Sequence, residues 1–427
     1  MPAENGDSKS VNAYYIVRVM PTTQSFDPFD PEQGRRHHEA MAELRASCPV
    51  ARLSSGMLVV SRYADVKSML GDAHMSNSGA ARAPGISVPE QDRFFFFEYD
   101  PPLHLPLRRL LRDLLSRQRA EAATSEVRSL IVELLTPLLD AGGGEMVEEF
   151  TAPFAGRLMM RLAGFPEEDA PRWRHWIRDM IRSGFSFTNR NDRGTGFEEC
   201  YPDLLEYLDR HIEDRARSAR SAQSADRPDD ALSRVVTGQI EGEPLSRTLQ
   251  RMILVSIPSA GGNTMGNFIN NTLLALASDP ALVEALRGDR TLVAEAVEES
   301  LRRDSPSMFI SRVCQAPAEV GETSLTAGEK VLLGLASANR DATVYHDPDA
   351  FRLDRDGQPP HLAFGWGSHT CIGAHIVRHA GTTLLNTLLD LVATIGLEPG
   401  TAPRPYLSPQ GNGLDELRLR LTRAGEG

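Results

Sequence analysis

The stretch HLAFGWGSHTCIGAH, residues 361–375, places one cysteine between a glycine-rich aromatic run and the start of a helical pattern. Gly365 and Gly367 allow the backbone to turn sharply and to approach a flat partner closely. The next segment, IGAHIVRHAGTTLLNTLLDLV, has apolar residues at helical spacing, so we expect Cys371 near a helix N-terminus. Free N–H groups and the dipole there favour a thiolate, which makes a good metal ligand or nucleophile. Without such context a lone cysteine is more often inert core.

The composition predicts one large globular domain. Of the 427 residues, 41% are hydrophobic and 24% are charged, which is ordinary for a globular protein. No low-complexity stretch divides the chain, and no repeat of about 20 to 50 residues is visible. We expect residues 1–25 to form a flexible tail and residues 26–427 to form the domain.

Charge and cysteine usage exclude several classes of partner and site. The formal charge of -12 and the lack of a basic arm argue against a nucleic-acid partner. The N-terminal region lacks an apolar signal segment, and no run reaches about 18 apolar residues, so we expect a cytoplasmic protein without membrane contact. The four cysteines are scattered without a CxxC pair, so neither a disulfide framework nor a zinc site is indicated.

The hydrophobic periodicity predicts a mainly α fold with a minor β part. Apolar residues recur at helical spacing from about Pro102 to Ser278. Short strand-like runs occur at Met57–Val60 and, after Pro306, in SRVCQAPAEV and EKVLLGLASANRD. Helix then returns behind Cys371.

The cysteine segment resembles the haem-binding loop of the cytochrome P450 family. The match is Phe364-Gly365-x-Gly367-x-His369-x-Cys371-x-Gly373. The resemblance implies that the Cys371 thiolate is the axial ligand of haem b iron, with Phe364, Gly365 and Gly373 against the cofactor. It also implies a single-domain P450 fold, in which haem lies between a long central helix and the helix that follows the cysteine loop.

Two further segments resemble parts of the same family. In EESLRR, Glu299 and Arg302 have the ExxR spacing of a pair that, in the family, locks the core beneath the haem together with a later arginine. Without the cysteine loop such a pair on a helix would be read as a solvated face. The segment SANRDATVYHDPDAFRLDR adds a family-like stretch between that helix and the cysteine loop.

Four basic side chains are expected to hold the haem propionates. DPPLHLPLRRLLRDLL resembles the family's C-helix, in which His104 and Arg108 lie four residues apart and share one face. Arg312, after SPSMFI, and His369, in the cysteine loop, are the further partners that the resemblance implies.

LVSIPSAGGNTMGNFINNTLLALASDP resembles the long central helix of the family, with Ala260–Thr264 at its oxygen-binding kink. The family most often has Asp or Glu before the threonine, whereas this chain has Asn263. An amide can orient a water molecule but cannot act as an acid. Thr264 and Asn263 are therefore the predicted proton-relay residues, although Thr264 could simply bond back to its own helix. Pro258 and the glycines predict a bent or locally open helix.

The substrate pocket is expected to be apolar or lined by small residues. By family position, its predicted lining residues are Phe94, Phe97, Phe185, Ile257, Gly261 and Met308. The four-phenylalanine run that contains Phe94 and Phe97 also suits an ordinary core.

The resemblance implies a monooxygenase that oxidises a small, fairly apolar organic molecule of secondary metabolism or aromatic catabolism with O2. The chain shows no flavin or iron-sulfur motif, so electrons are expected from a ferredoxin and an NAD(P)H-dependent ferredoxin reductase. Asn263 keeps a second activity open, namely oxidative coupling, desaturation or rearrangement without oxygen insertion. A haem gas sensor is a third class, but sensors usually carry a separate output domain and none is visible.

Overall fold

The structure is a computed structural model that describes residues 36–53, 56–80, 93, 95–183, 197–221, 228–406 and 411–425. The predicted tail, residues 1–25, lies outside the described residues. Helices dominate the described part and the sheets are small, which confirms the predicted mainly α fold with a minor β part. No helix in these described ranges is long and apolar enough to cross a membrane.

The helices differ widely in length, and the longest is α11. In chain order the α-helices are α1 (His37–Ser47), α2 (Tyr63–Gly71), α3 (His104–Arg112), α4 (Arg117–Ala122), α5 (Thr124–Asp140), α6 (Ala152–Ala163), α7 (Ala170–Ser183), α8 (Phe197–Cys200), α9 (Pro202–Ser221), α10 (Ala231–Thr237), α11 (Arg247–Ser278), α12 (Pro280–Gly288), α13 (Val293–Arg303), α14 (Leu335–Ala338) and α15 (Ala374–Leu391). Short helical turns of other types occur at Phe96–Glu98, Val147–Thr151, Glu167–Asp169, Arg290–Leu292 and Gly367–His369.

The strands form one mixed five-stranded sheet and several smaller antiparallel sheets. They are β1 (Val50–Arg52), β2 (Leu58–Val60), β3 (Met75–Ser76), β4 (Gly143–Glu145), β5 (Gln239–Ile240), β6 (Glu243–Pro244), β7 (Phe309–Cys314), β8 (Ala318–Val320), β9 (Thr323–Leu325), β10 (Lys330–Gly334), β11 (Val392–Leu397), β12 (Arg404–Pro405), β13 (Leu414–Glu416) and β14 (Arg418–Arg423). The large sheet has the order β1-β2-β10-β7-β3, and only β2 and β10 run parallel. The remaining pairings are β11-β14-β4, β12-β13, β5-β6 and β8-β9.

Helix α11 is the central element of the helical core. Its N-terminus is capped by Ser246, whose side chain accepts a hydrogen bond from the N–H of Leu249. Buried residues occupy most of its length, as expected for a helix surrounded by other elements. The helix continues without a break through Pro258, whereas the sequence predicts a bent or open segment there. Tertiary packing along the rest of the helix outweighs the cost of one interior proline, on the order of 3 kcal/mol.

Two helices on either side of the predicted cofactor position approach each other closely. Gly381 of α15 lies against α11, because a Cβ on Gly381 would stand 2.8 Å from the Phe268 ring. Beyond this contact, α15 packs on α5 and α13. The close approach fixes the cysteine loop, which precedes α15, relative to the middle of α11.

Candidate active site

One cavity of about 360 Å³ lies between α11, α3, β7 and the cysteine loop. Its size is typical of small-molecule sites. Most of the predicted site residues form its wall, namely Phe97, His104, Arg108, Ile257, Gly261, Thr264, Arg312, Phe364, His369, Cys371 and Gly373. These residues lie as much as 276 positions apart in sequence, from Phe97 to Gly373.

The cysteine loop turns tightly at its two central glycines. Gly365 and Gly367 have φ angles of +70° and +76°, in the left-handed region that favours glycine. A Cβ on Gly367 would also stand 2.7 Å from the carbonyl oxygen of Leu70, so this position has no room for a side chain. The N–H of Cys371 donates to the carbonyl oxygen of Phe364 at 2.8 Å, which closes the loop and presents Cys371 to the cavity. Gly365 shapes this turn and is not part of the cavity wall.

The surroundings of Cys371 shift the pKa of its thiol in two opposite directions. Burial raises the pKa of Cys371, while the N–H groups of Gly373 and Ala374 and the guanidiniums of Arg108 and Arg378 lower it. Burial dominates, so the protein alone favours the thiol, opposite to the direction that the helix N-terminus predicts. Coordination by a metal ion deprotonates a thiol outright, so the raised pKa is compatible with Cys371 as a metal ligand.

Both ring nitrogens of His369 contact polar side chains. Its Nδ1 lies 2.8 Å from the Asn77 amide nitrogen, and its Nε2 lies 3.3 Å from Oδ1 of Asp100. The ring also stacks on His104, with centroids 3.9 Å apart. Burial opposes the charged form of Asp100, but hydrogen bonds from His369 and Ser76 outweigh it and lower the pKa of Asp100.

Asp100 and Asn77 were not predicted as site residues. Asp100 is the first residue of the DPPLH segment, which the sequence already assigns to the site. Its contact, however, is with a loop 269 residues later in the chain. No local pattern predicts such a contact.

His104 is completely buried at the cavity wall, yet neither of its ring nitrogens has a hydrogen-bond partner among the described residues. Burial is the main reason that the pKa of His104 falls to about 3, so the ring is neutral at physiological pH. Buried polar atoms are nearly always paired in native proteins. The two orphaned nitrogens therefore indicate that a polar group of a ligand belongs beside His104.

Two guanidiniums stand on the same side of the cavity. Arg108 donates to the carbonyl oxygen of Thr370 at 2.8 Å, and the buried Arg312 donates to the carbonyl oxygen of Ser311 at 2.9 Å. Burial lowers the pKa of Arg312 to about 10, so its charge persists at neutral pH. In the described part of the chain, no carboxylate forms an ion pair with either guanidinium. This arrangement suits a ligand that carries carboxylates.

These observations fit haem. Its propionates match Arg108, Arg312 and the unpartnered His104, its iron needs one axial ligand such as the Cys371 sulfur, and its apolar faces match the rest of the wall. The apolar residues that line the cavity include Phe364, Ile372, Ile376 and Val377, which are close to Cys371 in sequence.

The two predicted relay residues face different sides of α11. Thr264 lines the cavity, and its hydroxyl donates to the carbonyl oxygen of Ala260 at 2.6 Å. Asn263 lines a second, narrower cavity. Successive residues of an α-helix point about 100° apart, so adjacent side chains need not share a wall.

The predicted substrate residues have three different locations. Phe97, Ile257 and Gly261 line the cavity. Met308 lies instead in a separate core cluster around Met41, and Ser307 and Ile310 line the cavity from that segment. Phe94 and Phe185 lie outside the described residues.

Glu299 and Arg302 form a buried ion pair on α13, with two contacts of 2.7 Å. Each side chain is 3% exposed. Arg355 adds contacts of 3.1 Å to the same carboxylate, and Arg302 also donates to the carbonyl oxygens of Asn339 and Pro348. The sequence predicts the pair and a later arginine; the structure identifies that arginine as Arg355.

Comparisons with known proteins agree with this site. A family model described as Cytochrome P450 matches residues 31–391. Cytochrome P450 monooxygenase PikC of Streptomyces venezuelae is 30% identical over 396 residues, 90% of this chain and 91% of that protein. Vitamin D3 dihydroxylase of Streptomyces griseolus is 30% identical over 349 residues, 79% and 81% of the two chains. The solved structure of cytochrome P450 CYP109Q5 from Chondromyces apiculatus superposes with a TM-score of 0.80 at 29% identity, covering 93% of this chain and 98% of that one. The chain with its cysteine-lined cavity thus belongs to the cytochrome P450 family of monooxygenases.

Proposed function

We propose that this protein binds haem b through Cys371 and oxidises a small, fairly apolar organic molecule, by hydroxylation, demethylation or epoxidation. Electrons come from a ferredoxin and an NAD(P)H-dependent ferredoxin reductase. The observation that carries the proposal is that one cavity is lined by Cys371, by Thr264 and by the basic cluster, which consists of His104, Arg108 and Arg312.

The reaction requires protons as well as electrons. A substrate C–H group, O2, two electrons and two protons give C–OH and water. Haem, when bound, would supply the reductive activation of dioxygen, and Cys371 would hold its iron. The protein must then hold the cofactor, orient the substrate and deliver the two protons.

The basic cluster holds the cofactor at its carboxylate edge. Arg108 and Arg312 supply charge, and His104 supplies a neutral ring whose nitrogens need a partner. His369 is also predicted to contact a propionate, but its nitrogens are engaged by Asn77 and Asp100. We infer that His369 contributes mainly by stacking on His104 and orienting it.

The substrate is held chiefly by shape. Phe97, Ile257 and Ile310 supply apolar wall, and Gly261 lets Met159 pack directly against α11 at the edge of the cavity. The name of the related vitamin D3 dihydroxylase indicates hydroxylation of a largely apolar molecule, which suits such a wall. Thr264 stands beside this space, where its hydroxyl can turn from Ala260 toward a bound water and pass a proton.

Oxidative coupling or rearrangement without oxygen insertion is a second candidate. The specific observation in its favour is that no Asp or Glu of the described chain lines the cavity. Turnover under labelled dioxygen separates the two, because oxygen insertion places the label in the product and coupling does not.

Replacement of Cys371 tests the haem-thiolate assignment. The reduced, carbon-monoxide-bound protein should show the strongly red-shifted absorption band of thiolate-bound haem, and Cys371→His should abolish it. Cys48→Ser and Cys314→Ala are matched controls that should keep the band. An unchanged band in Cys371→His would refute the assignment.

A further inference from the structure

A second cavity, of about 80 Å³, lies on the opposite side of α11 from the active site. Helices α6 and α7, helix α11 and the β12–β13 hairpin form its walls. A water molecule needs roughly 10–15 Å³ of such volume, so the space holds several waters but no second organic substrate.

Two amides line this cavity with unpartnered atoms. Asn267 and Asn270 are 5% and 2% exposed, and neither Nδ2 of Asn267 nor Oδ1 of Asn270 has a partner among the described residues. The Asn267 amide packs directly against the backbone of Gly413, because a Cβ on Gly413 would overlap it. The amide therefore cannot move away from the cavity in that direction. One orphaned donor and one orphaned acceptor in a narrow space call for hydrogen-bonded water.

The inner end of the cavity meets the active site at Met159. This side chain lines both cavities, and a Cβ on Gly261 would overlap its sulfur, so Met159 lies directly against α11. Methionine is flexible and unbranched, which allows a small rotation to open a passage. Asn263 stands on the same stretch of helix, on the second cavity's wall.

The outer end of the cavity carries a carboxylate. Asp415 of β13 lines the cavity, and 30% of its side chain is exposed. Arg404 lies 3.5 Å from Asp415, on the solvent side. On the α7 wall, Arg174 and Arg178 both pair with Glu148, which compensates their charge. Asp415 is the one carboxylate of the described chain that lines the cavity, so the route begins at the hairpin.

We propose that this cavity is a proton path in which Asp415 takes protons from solvent and passes them to water held by Asn267, Asn270 and Asn263. The proposal rests on the function proposed above, which consumes two protons per O2. The active-site cavity has no carboxyl in the described chain, and an amide cannot supply a proton. Asp415 regains each proton from bulk water, so its carboxyl is regenerated while the reaction consumes the protons.

Asp415→Asn tests the path, with Glu416→Gln as the matched control. Glu416 is the next residue, also pairs with Arg404, and does not line the cavity. A general acid placed directly at the reacting group raises the rate about 10²-fold or more. Water in the cavity can still carry protons when Asp415 is removed, so we expect Asp415→Asn to lower product per NAD(P)H only about tenfold. The lost electrons should appear as hydrogen peroxide. Asp415→Glu should restore coupling, which a merely structural role would not predict.

A crystal structure of the haem-loaded protein provides a readout independent of turnover. We expect ordered waters within hydrogen-bond distance of Asn267 Nδ2 and Asn270 Oδ1. A dry cavity would overturn the proposal. So would equal coupling in Asp415→Asn and Glu416→Gln when both retain the thiolate band, whereas loss of that band in the wild type would instead overturn the proposed function. Met159→Phe, which should block the junction, gives a second test on a different element, α6: it should also lower product per NAD(P)H, and unchanged coupling would overturn the path.

Discussion

Replacing Glu299 by glutamine should be among the most destabilising single changes outside the active site. The Glu299 carboxylate accepts from Arg302 at 2.7 Å, from Arg355 at 3.1 Å and from the N–H of Arg352 at 2.9 Å. Glutamine keeps the size of the side chain but removes its charge. Two guanidiniums, one of them 3% exposed, would then lack a counter-charge.

The expected cost follows from burial. Removing one partner of a buried ion pair costs about 3–5 kcal/mol, because the other charge is left uncompensated. Domains have about 5–15 kcal/mol of stability in total, so this loss is a large fraction of it.

Glu298→Gln is the matched control. Glu298 pairs with Arg378 at 2.6 Å and with His361 at 3.3 Å, but its side chain is 43% exposed, so we expect each pair to contribute about 1 kcal/mol or less. The measurement is the free energy of unfolding in urea for both haem-loaded variants. If the two losses agree within about 1 kcal/mol, the argument that burial decides the cost is wrong.

Three further predictions concern the cofactor, acid stability and proton delivery. Arg108→Ala with Arg312→Ala should weaken haem binding by about 3–6 kcal/mol, since each charged hydrogen bond contributes about 1.5–3; unaltered affinity in a haem-transfer assay would exclude these anchors. Burial lowers the pKa of His38 to about 3, below its unfolded value near 6.5. Between these pH values the His38 ring is protonated in the unfolded chain and neutral in the folded protein, so the free energy of unfolding falls as pH falls. His38→Gln should reduce this slope by up to about 1.4 kcal/mol per pH unit, measured by unfolding at pH 4 to 6. Thr264→Ala should release peroxide at the expense of product, and full coupling would remove Thr264 from the relay.

The cysteine loop could be predicted from sequence because its geometry is local. Gly365 and Gly367 adopt the positive φ angles that their identity allows, and the helix begins at Ala374, three residues beyond Cys371, with Gly373 as its N-cap. The pairing of Glu299 with Arg302 is also local, since one helical turn separates them. In each case the interacting groups are close in the chain, so spacing indicates the contact, whereas the burial of the Glu299–Arg302 pair is expected only from the resemblance to the P450 family.

Features that depend on distant parts of the chain could not be predicted. The contact of His369 with Asp100 joins two loops through the packing of the whole fold. Helical spacing does separate Asn263 from Thr264, but only the surrounding helices determine that Asn263 faces a second cavity. Met308 precedes β7, and the register of that strand places Ile310 in the wall instead.

Strand β7 carries a proposed substrate contact and a proposed propionate anchor on one rigid element. Ile310 and Arg312 lie two positions apart, so they share a face, and β10 pairs with them at Leu333 and Val331. Changing the volume of residue 310 would reshape the pocket while Arg312 stays in register. Inserting one residue between them would rotate Arg312 to the opposite face. Altered substrate preference is therefore accessible to this protein through substitution on β7, whereas a length change there would also remove a cofactor anchor.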